Sequence, residues 1–366
     1  MLNVHLIAAA RPNFMKVAPL YHALRATDWA RPRLIHTGQH YDVNMSDVFF
    51  QDLGLPTPDY HLDVGSGSHA EQTGGVMIAY EKVCAERRPD WIIVVGDVNS
   101  TAACAQVGAK MWLPVVHLEA GLRSGDRRMP EEINRLVTDA IADVLWTPSA
   151  DADENLLAEG VAPERIDCIG NMMIDSFEML RDKIQSSGLR DSLELEDGNY
   201  ALVTLHRPSN VDDPDSLQPI VDELIRLSGD ILVVFVAHPR TIKHLERFGL
   251  KDRMTSAPGI RLLEPLPYVG FMNVVVAARM VITDSGGLQE ETTYLDIPCL
   301  TLRENTERPV TITRGSNRLI SAGTLGANVG EVLAGNWPSG SCPPLWDGET
   351  ARRAVACLKR RSGLTD

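Results

Sequence analysis

Acids, histidines and glycines recur where short apolar runs stop. Asp97 ends WIIVVGD (91–97) and leads into Asn99-Ser100-Thr101. These types cap helices well, and the same carboxylate could equally act on a ligand. Glu119 ends the mostly apolar run PVVHLEA (114–120), where packing explains an acid poorly, because a buried carboxylate is costly unless paired. Glu131 and Glu132 follow Pro130 at the start of a helical stretch, a place that also suits acids through the helix dipole. His206 and Arg207 end YALVTLH (200–206), and His238 and Arg240 repeat that arrangement after ILVVFVAH (231–238). A histidine so placed can move protons near neutral pH, contact a phosphate or make a local hydrogen bond. The densest local signal is Thr283-Asp284-Ser285-Gly286-Gly287, a strand end, two glycines and a helix start. That order predicts a nest of backbone N–H groups suited to phosphate. Arg11, Lys16, Arg303 and Arg308 are cations that could meet such an anion or sit in ion pairs.

The elements that must position these residues follow from the apolar pattern. Runs at 3–9, 33–38, 91–97, 114–120, 143–149 and 165–170 are bounded by Gly, Pro, Asp or Ser, with helical spacing between them, as in FMKVAPLYHALRA (14–26). A polar, acidic stretch at 185–199 interrupts the alternation, which restarts with runs at 200–206, 231–238, 260–265, 280–286 and 298–302. The expectation is an α/β protein of two parallel-sheet domains. These are an N-terminal Rossmann-like domain over 1–170, a linker region over 171–199 and a C-terminal nucleotide-binding domain over 200–348. The amphipathic segment at 349–361 reads as a terminal helix packed back on the first domain. In such sheets the functional loops leave the carboxyl ends of strands, and a ligand is expected in the cleft between the two domains.

Composition narrows the chemistry. The chain has 366 residues and a formal net charge of −14, which argues against a broad basic face for nucleic acid or anionic membrane. A small anionic ligand needs only a few cations and aimed amides, so it remains open. The six cysteines are scattered singly, with no CxxC or Cys/His cluster, so no metal site or disulfide framework is expected, and a cytoplasmic setting is. Met1 to Ala10 lacks the basic start of a signal peptide and reads as a first strand, and no apolar run reaches membrane-spanning length. There is no GxGxxG at the first strand and no Lys-Ser/Thr after the Gly286-Gly287 pair, which weighs against dinucleotide redox and ATP-hydrolysis readings.

Seven motifs, in order over residues 11–309, carry a resemblance: RPNFMKVAPL, TGQHYD, GDVNSTAA, HLEAGLRSGDRRMPEEINR, LHRPSN, ITDSGGLQEE and RENTERP. Together they resemble the UDP-N-acetylglucosamine 2-epimerases of the non-hydrolysing bacterial type. The resemblance implies the glycosyltransferase-B architecture, two Rossmann-like domains facing across a cleft, usually in a homodimer. It implies an acid/base set of Asp97, Glu119, Glu131 and His206. It also implies contacts to the UDP-sugar from Arg11, Lys16, Phe271, Ser285, Gly286, Gly287, Glu291 and Arg308, with Glu291 toward the ribose. Glu131 and Phe271 enter through the resemblance alone.

The implied chemistry needs neither cofactor nor metal: UDP leaves C1 as a base removes the C2 proton, and UDP then adds back with protonation from the other face. Two faces need proton-transfer groups on both sides. Two departures from the family pattern stand out. Asp42, in Gln39-His40-Tyr41-Asp42, adds negative charge where an anionic effector would bind, which argues against substrate allostery. The loop His206-Arg207-Pro208-Ser209-Asn210 differs from the His-Arg-Arg-Glu form, which leaves the sugar more open than the nucleotide. A 2-epimerase of UDP-2,3-diacetamido uronate, a hydrolysing 2-epimerase and a glycosyltransferase on the same fold are the alternatives.

Overall fold

A computed structural model describes residues 1–38 and 50–364, the Arg11 side chain excepted. The chain divides into two compact units, Met1–Met179 with Pro344–Asp366, and Leu180–Pro343. In the first unit, β1 (Leu2–Ala8), β2 (Ala30–His36), β3 (Tyr60–His61), β4 (Trp91–Val95), β5 (Val115–Leu118), β6 (Val144–Thr147) and β7 (Ile166–Cys168) form one parallel sheet. Its order is β3-β2-β1-β4-β5-β6-β7. Helices α1 (Arg11–Arg25), α2 (His69–Glu86), α3 (Asn99–Lys110), α4 (Pro130–Ile141), α5 (Ala150–Ala158) and α6 (Met172–Gln185) alternate with the strands, and the division between units falls inside α6. Parallel strands need crossovers, whose helices cover both sheet faces, so central strands are apolar throughout. Every residue of β4 and β5 is accordingly buried.

The second unit repeats this plan. Strands β8 (Tyr200–Thr204), β9 (Leu232–Val236), β10 (Ile260–Leu263), β11 (Met280–Thr283), β12 (Cys299–Leu302) and β13 (Asn317–Ile320) pair in the parallel order β10-β9-β8-β11-β12-β13. Helices α7 (Pro214–Leu227), α8 (Pro239–Arg247), α9 (Tyr268–Val275), α10 (Gly286–Tyr294) and α11 (Leu325–Leu333) complete it. In each unit the strand order reverses once, at β1/β4 and at β8/β11. Chains leaving adjacent strand ends in opposite directions open a crevice there. The eleven apolar runs marked in the sequence are all strands. The two strands that the pattern does not reveal, β3 and β13, lie at sheet edges, where one partner suffices; β3 is two residues long, and β13 has Asn317 and Arg318 in place of an apolar run.

The terminal helix α12 (Thr350–Arg361) lies against α1, inside the first unit. Trp146 Nε1 on β6 donates to Cys357 Sγ at 3.2 Å, and Trp91 Nε1 on β4 donates to Ser362 Oγ at 2.9 Å. The residue at the N-cap of α12, Glu349, makes no side-chain cap. The buried Asp175 carboxylate supplies one from α6, accepting from Thr350 N at 3.0 Å and Ala351 N at 2.7 Å. Substituting Asp175→Ala leaves two buried donors unmet and is expected to cost about 1–3 kcal/mol, read by denaturant unfolding, with the amides of 350–361 losing hydrogen-exchange protection first.

Two buried histidines of the same unit contribute to its loss of stability in acid. Burial lowers both His5 and His36 to about 4, against an ordinary value of 6.5. As pH falls below 6.5 the unfolded chain takes up protons at these positions while the folded chain does not, so stability drops toward pH 4. Each site contributes at most on the order of 3 kcal/mol to that drop. His5→Gln is expected to flatten the loss of unfolding free energy between pH 6.5 and 4 and leave the slope above neutrality unchanged.

Candidate active site

The crevice of the first unit is built on two glycines and their neighbours. At the end of β1, Asn13 Oδ1 accepts from Ala10 N at 3.0 Å, while its Nδ2 donates to Val95 O at 3.1 Å, tying the start of α1 to the end of β4. Gly96 turns the chain with φ +67°, and a Cβ there would stand 3.3 Å from Glu119 Oε2. Glu119 itself has φ +74°, a left-handed conformation that few glutamates adopt. Its N–H and that of Ala120 both donate to Trp146 O at 3.1 Å. Its carboxylate is ion-paired with Lys16, and both side chains are buried. Gly121 follows with φ +80°, where a Cβ would stand 2.4 Å from Ala152 O, so only glycine fits.

Helix α4 carries most of the polar groups that face these turns. Arg135 Nη2 pairs with Asp97, and its Nη1 donates to Glu132 at 2.7 Å. Glu132 is 2% exposed and also accepts from Ser124 N at 3.0 Å and Gly125 N at 2.9 Å. Burial pushes its carboxyl up, but those N–H groups and Arg135 hold it below the usual range. Asn134 Nδ2 donates to Asp97 O at 2.9 Å. Glu131, one residue before Glu132, is half-buried and, among the described residues, makes no ion pair or side-chain hydrogen bond. About two turns down the helix, buried Asp139 accepts from His117 Nδ1 at 2.6 Å, Arg123 Nη1 at 2.7 Å and Gly121 N at 3.1 Å. His117 Nε2 donates to Gly96 O at 2.8 Å. Burial opposes the charge on Asp139, yet His117 and Arg123 keep its carboxyl below the ordinary range.

In the second unit a buried acid organises the crevice between β8 and β11. Asp284 is 0% exposed and accepts from Arg207 N at 2.9 Å, Asn210 Nδ2 at 2.9 Å and His206 N at 3.1 Å. His206 Nδ1 lies 3.0 Å from Asp284 Oδ1, with 42% of the histidine side chain exposed. Burial raises the Asp284 carboxyl, but the bonds from His206, Asn210 and Arg207 outweigh it and hold the group ionised below its usual range. His238, at the end of β9, caps α8 by accepting from Arg240 N at 3.2 Å, with its ring 6.0 Å from that of His206.

Ser285, Gly286 and Gly287 open α10, whose first N–H groups have no carbonyl partner within the helix. A Cβ at Gly286 would stand 2.7 Å from Glu307 Oε1 and 2.8 Å from Arg308 Nη1, so glycine is needed for close packing there. A Cβ at Gly287 would meet nothing within 4 Å, which leaves the helix start open to a ligand. Arg308 is buried and paired with Glu290 at 2.9 Å and with Glu307, which Arg303 also meets at 2.7 Å. On α9, Tyr268 O–H donates to Glu291 at 2.7 Å, and half-buried Phe271 lies three residues further on.

The structure therefore gathers Lys16, Asp97, Glu119 and Glu131 at one strand-end crevice, and His206, Ser285, Gly286, Gly287, Glu291 and Arg308 around another. Arg11 begins α1 at the first crevice, but its side chain lies outside what the structure describes. Gln39-His40-Tyr41-Asp42 lie outside the described residues altogether. Arg135, His117, Arg123 and Asp139 in the first unit, and Tyr268, Glu290 and Glu307 in the second, are among the polar residues that the sequence reading did not single out. A donor or acceptor buried beside a strand end is visible only once its partner is placed. Among the described residues no group of three His, Cys, Asp or Glu side chains is arranged to hold a metal ion. No helix among them is long and apolar enough to cross a membrane.

This geometry has close relatives. The model of the UDP-N-acetylglucosamine 2-epimerase family matches residues 22–359. A UDP-N-acetylglucosamine 2-epimerase of Methanocaldococcus jannaschii is 42% identical over 327 residues, 87% of this chain and 88% of that one. A UDP-2,3-diacetamido-2,3-dideoxy-D-glucuronate 2-epimerase of Pseudomonas aeruginosa is 38% identical over 324 residues, 88% of this chain and 89% of that one. The crystal structure of the Methanocaldococcus jannaschii UDP-GlcNAc 2-epimerase in complex with UDP-GlcNAc and UDP superposes with a TM-score of 0.89 at 39% identity, covering 98% of this chain and 100% of that one. With a family model matched over most of the chain and relatives of this similarity along it, the protein belongs to the UDP-N-acetylglucosamine 2-epimerase family.

Proposed function

We propose that the chain inverts C2 of UDP-N-acetylglucosamine reversibly, giving UDP-N-acetylmannosamine. The C2 hydrogen has no adjacent carbonyl to activate it, so the route is elimination. A carboxylate takes the C2 proton, the electron pair of that C–H bond forms the C1–C2 double bond, and the C1–O bond breaks with its pair leaving on UDP. The 2-acetamidoglucal so formed accepts UDP again at C1 and a proton at the opposite face of C2. No net oxidation occurs, and protons balance through the protein.

The observation that carries this reading is the placement of Asp97, Glu119 and Glu131 at the β4 end, the β5 end and the start of α4. This is a set of carboxylates with contrasting partners. Asp97 is paired with Arg135 and Glu119 with Lys16, whereas Glu131 has no such partner among the described residues. Asp97 and Glu131 are assigned to the C2 proton on its two faces, with Glu119 beside them. The second unit is assigned the nucleotide. The amides of Ser285, Gly286 and Gly287, with Arg308, receive charge growing on the departing diphosphate, and Arg11 and Lys16 are further cations for it. Glu291 receives the ribose hydroxyls, Phe271 lies against the nucleotide, and His206 assists the leaving diphosphate. A similar relative acts on a diacetamido uronate, so the sugar is part of what the assay decides.

Incubation with UDP-N-acetylglucosamine in D₂O, followed by NMR, is expected to place deuterium at C2 with both UDP-sugars present. Accumulation of free sugar would instead mark a hydrolysing enzyme. Turnover only of the UDP-2,3-diacetamido uronate would move the substrate, and no turnover of either would overturn the reading. Asp97→Asn and Glu131→Gln are each expected to lower C2 exchange by roughly 10²–10⁴-fold, the usual worth of a positioned general acid or base. His206→Asn should slow UDP release more than it weakens UDP binding.

The same reading includes a homodimer and a cytoplasmic setting. Ile78 on α2 and Ile133 and Val137 on α4 are exposed apolar side chains on the first unit, at 62%, 38% and 36%, and offer a surface for a second copy. Cys84, Cys104, Cys168, Cys299 and Cys357 are free thiols, as a reducing compartment keeps them. Light scattering should return twice the 40.2 kDa chain mass, falling to the monomer in Ile78→Glu/Ile133→Glu; a wild-type monomer would sink the dimer.

A further inference from the structure

His206 can present either of two faces to a ligand. With the proton on Nδ1 it offers a lone pair at Nε2, and with the proton on Nε2 it offers a donor. Which face is offered depends on what stands behind Nδ1. Behind it is Asp284, fully buried on the first residue after β11, with Oδ1 at 3.0 Å. Three further donors converge on the same carboxylate, the backbone N–H groups of His206 and Arg207 and the Asn210 side-chain amide. Asn210 Nδ2 also donates to Leu302 O at 3.0 Å, so its amide nitrogen faces two acceptors and its orientation is settled. An ionised carboxylate only accepts, so a favourable contact at Nδ1 requires that nitrogen to carry its hydrogen.

From this we infer that Asp284 is a positioning residue for His206, locking it in the Nδ1–H tautomer with the Nε2 lone pair turned to the ligand. The inference rests on the assignment of His206 to the leaving diphosphate. To assist the leaving diphosphate, His206 must also take a proton from solvent onto Nε2 and donate it to the diphosphate oxygen as the C1–O bond breaks; the imidazolium stays anchored to the same carboxylate, so its charge has a counter-ion without any side chain moving. Asp284 also precedes Ser285-Gly286-Gly287 directly, and its own carbonyl accepts from Arg207 Nε at 3.0 Å. One residue thus holds the histidine and begins the diphosphate cradle, so the spacing between the two is set by a single peptide unit and not by a long loop. The neighbouring imidazole, His238, is turned to a different task, since its Nδ1 accepts from Arg240 N.

The test is ring ¹⁵N NMR on the full-length chain labelled at histidine, at a pH where the imidazoles are neutral, with His206 assigned by its loss in His206→Asn. The expected result is a protonated-type shift at Nδ1 and an unprotonated-type shift at Nε2. A wild-type His206 with the proton on Nε2 would overturn the inference. In Asp284→Asn the amide can donate to Nδ1, and the tautomer is expected to change to Nε2–H. With it, kcat should fall about 10²-fold while the Kd for UDP stays near the wild-type value. Asn210→Ala loosens the same loop without touching the ring, so it should keep the Nδ1–H tautomer; its loss there would mean that loop packing, not Asp284, sets the ring. Should Asp284→Asn fail to fold, the wild-type shifts and the Asn210→Ala comparison still decide. The tautomer is read without turnover, so an Nδ1–H ring in a chain that epimerises no UDP-sugar would overturn the proposed function and leave this inference standing.

Discussion

The first unit depends on a carboxylate that water scarcely reaches. Asp139 accepts from His117 on β5, from Arg123 in the loop that follows and from the Gly121 backbone, while His117 reaches on to the Gly96 carbonyl at the end of β4. Removing one partner would strand a buried charge, which is costlier than the pair is worth, so the set acts as a single unit. Its geometric effect is to hold two turns and one helix in register. Gly96 sits against Glu119 and Gly121 against Ala152, while α4 presents Arg135 at its middle and Glu131 at its start. The left-handed backbone at Glu119 survives because the surroundings over-determine it, through two bonds to Trp146 O and the Lys16 pair.

The second unit solves the same problem with other residues. There the buried acid is Asp284, satisfied by the β8 loop instead of by a helix, and Arg308, beside Gly286 at the start of α10, is shared between Glu290 and Glu307. Charges held this way are already desolvated and oriented, so under the proposed function they would need little reorganisation as a diphosphate gains negative charge. A net charge of −14 is therefore no obstacle to the anionic ligand proposed for it. Several of its acids are spent on fixing cations and amides, and net charge describes the surface far better than it describes a crevice.

Much of this was legible in advance where local chemistry and local structure coincide. Apolar runs marked the central strands because parallel strands are buried on both faces, and the polar residues closing those runs marked the crevice. The pattern was silent at β3 and β13, where an edge strand needs neither length nor continuous apolarity. It was silent too on the adjacent pair Glu131 and Glu132. Both read as acids in the first turn of a helix, and only the fold shows that Glu132 is buried against Arg135 and two loop amides while Glu131 is left half-exposed. Phe271 and Glu131 enter the proposed site only through the resemblance, since an aromatic or an acid on a helix has many commoner uses.

The sequence by itself determined the α/β alternation, the strand ends that carry the proposed site residues, and the family. Each is encoded in residues close together in the chain, through burial period, turn chemistry and ordered motifs. Tertiary structure alone decided which charges are partners. Lys16 and Glu119 are 103 residues apart, His206 and Asp284 are 78 apart, and Asp175 caps a helix that begins 175 residues later. A parallel sheet brings distant strand ends side by side, and a buried charge takes whichever partner that arrangement puts within reach. No local pattern in the chain records that choice.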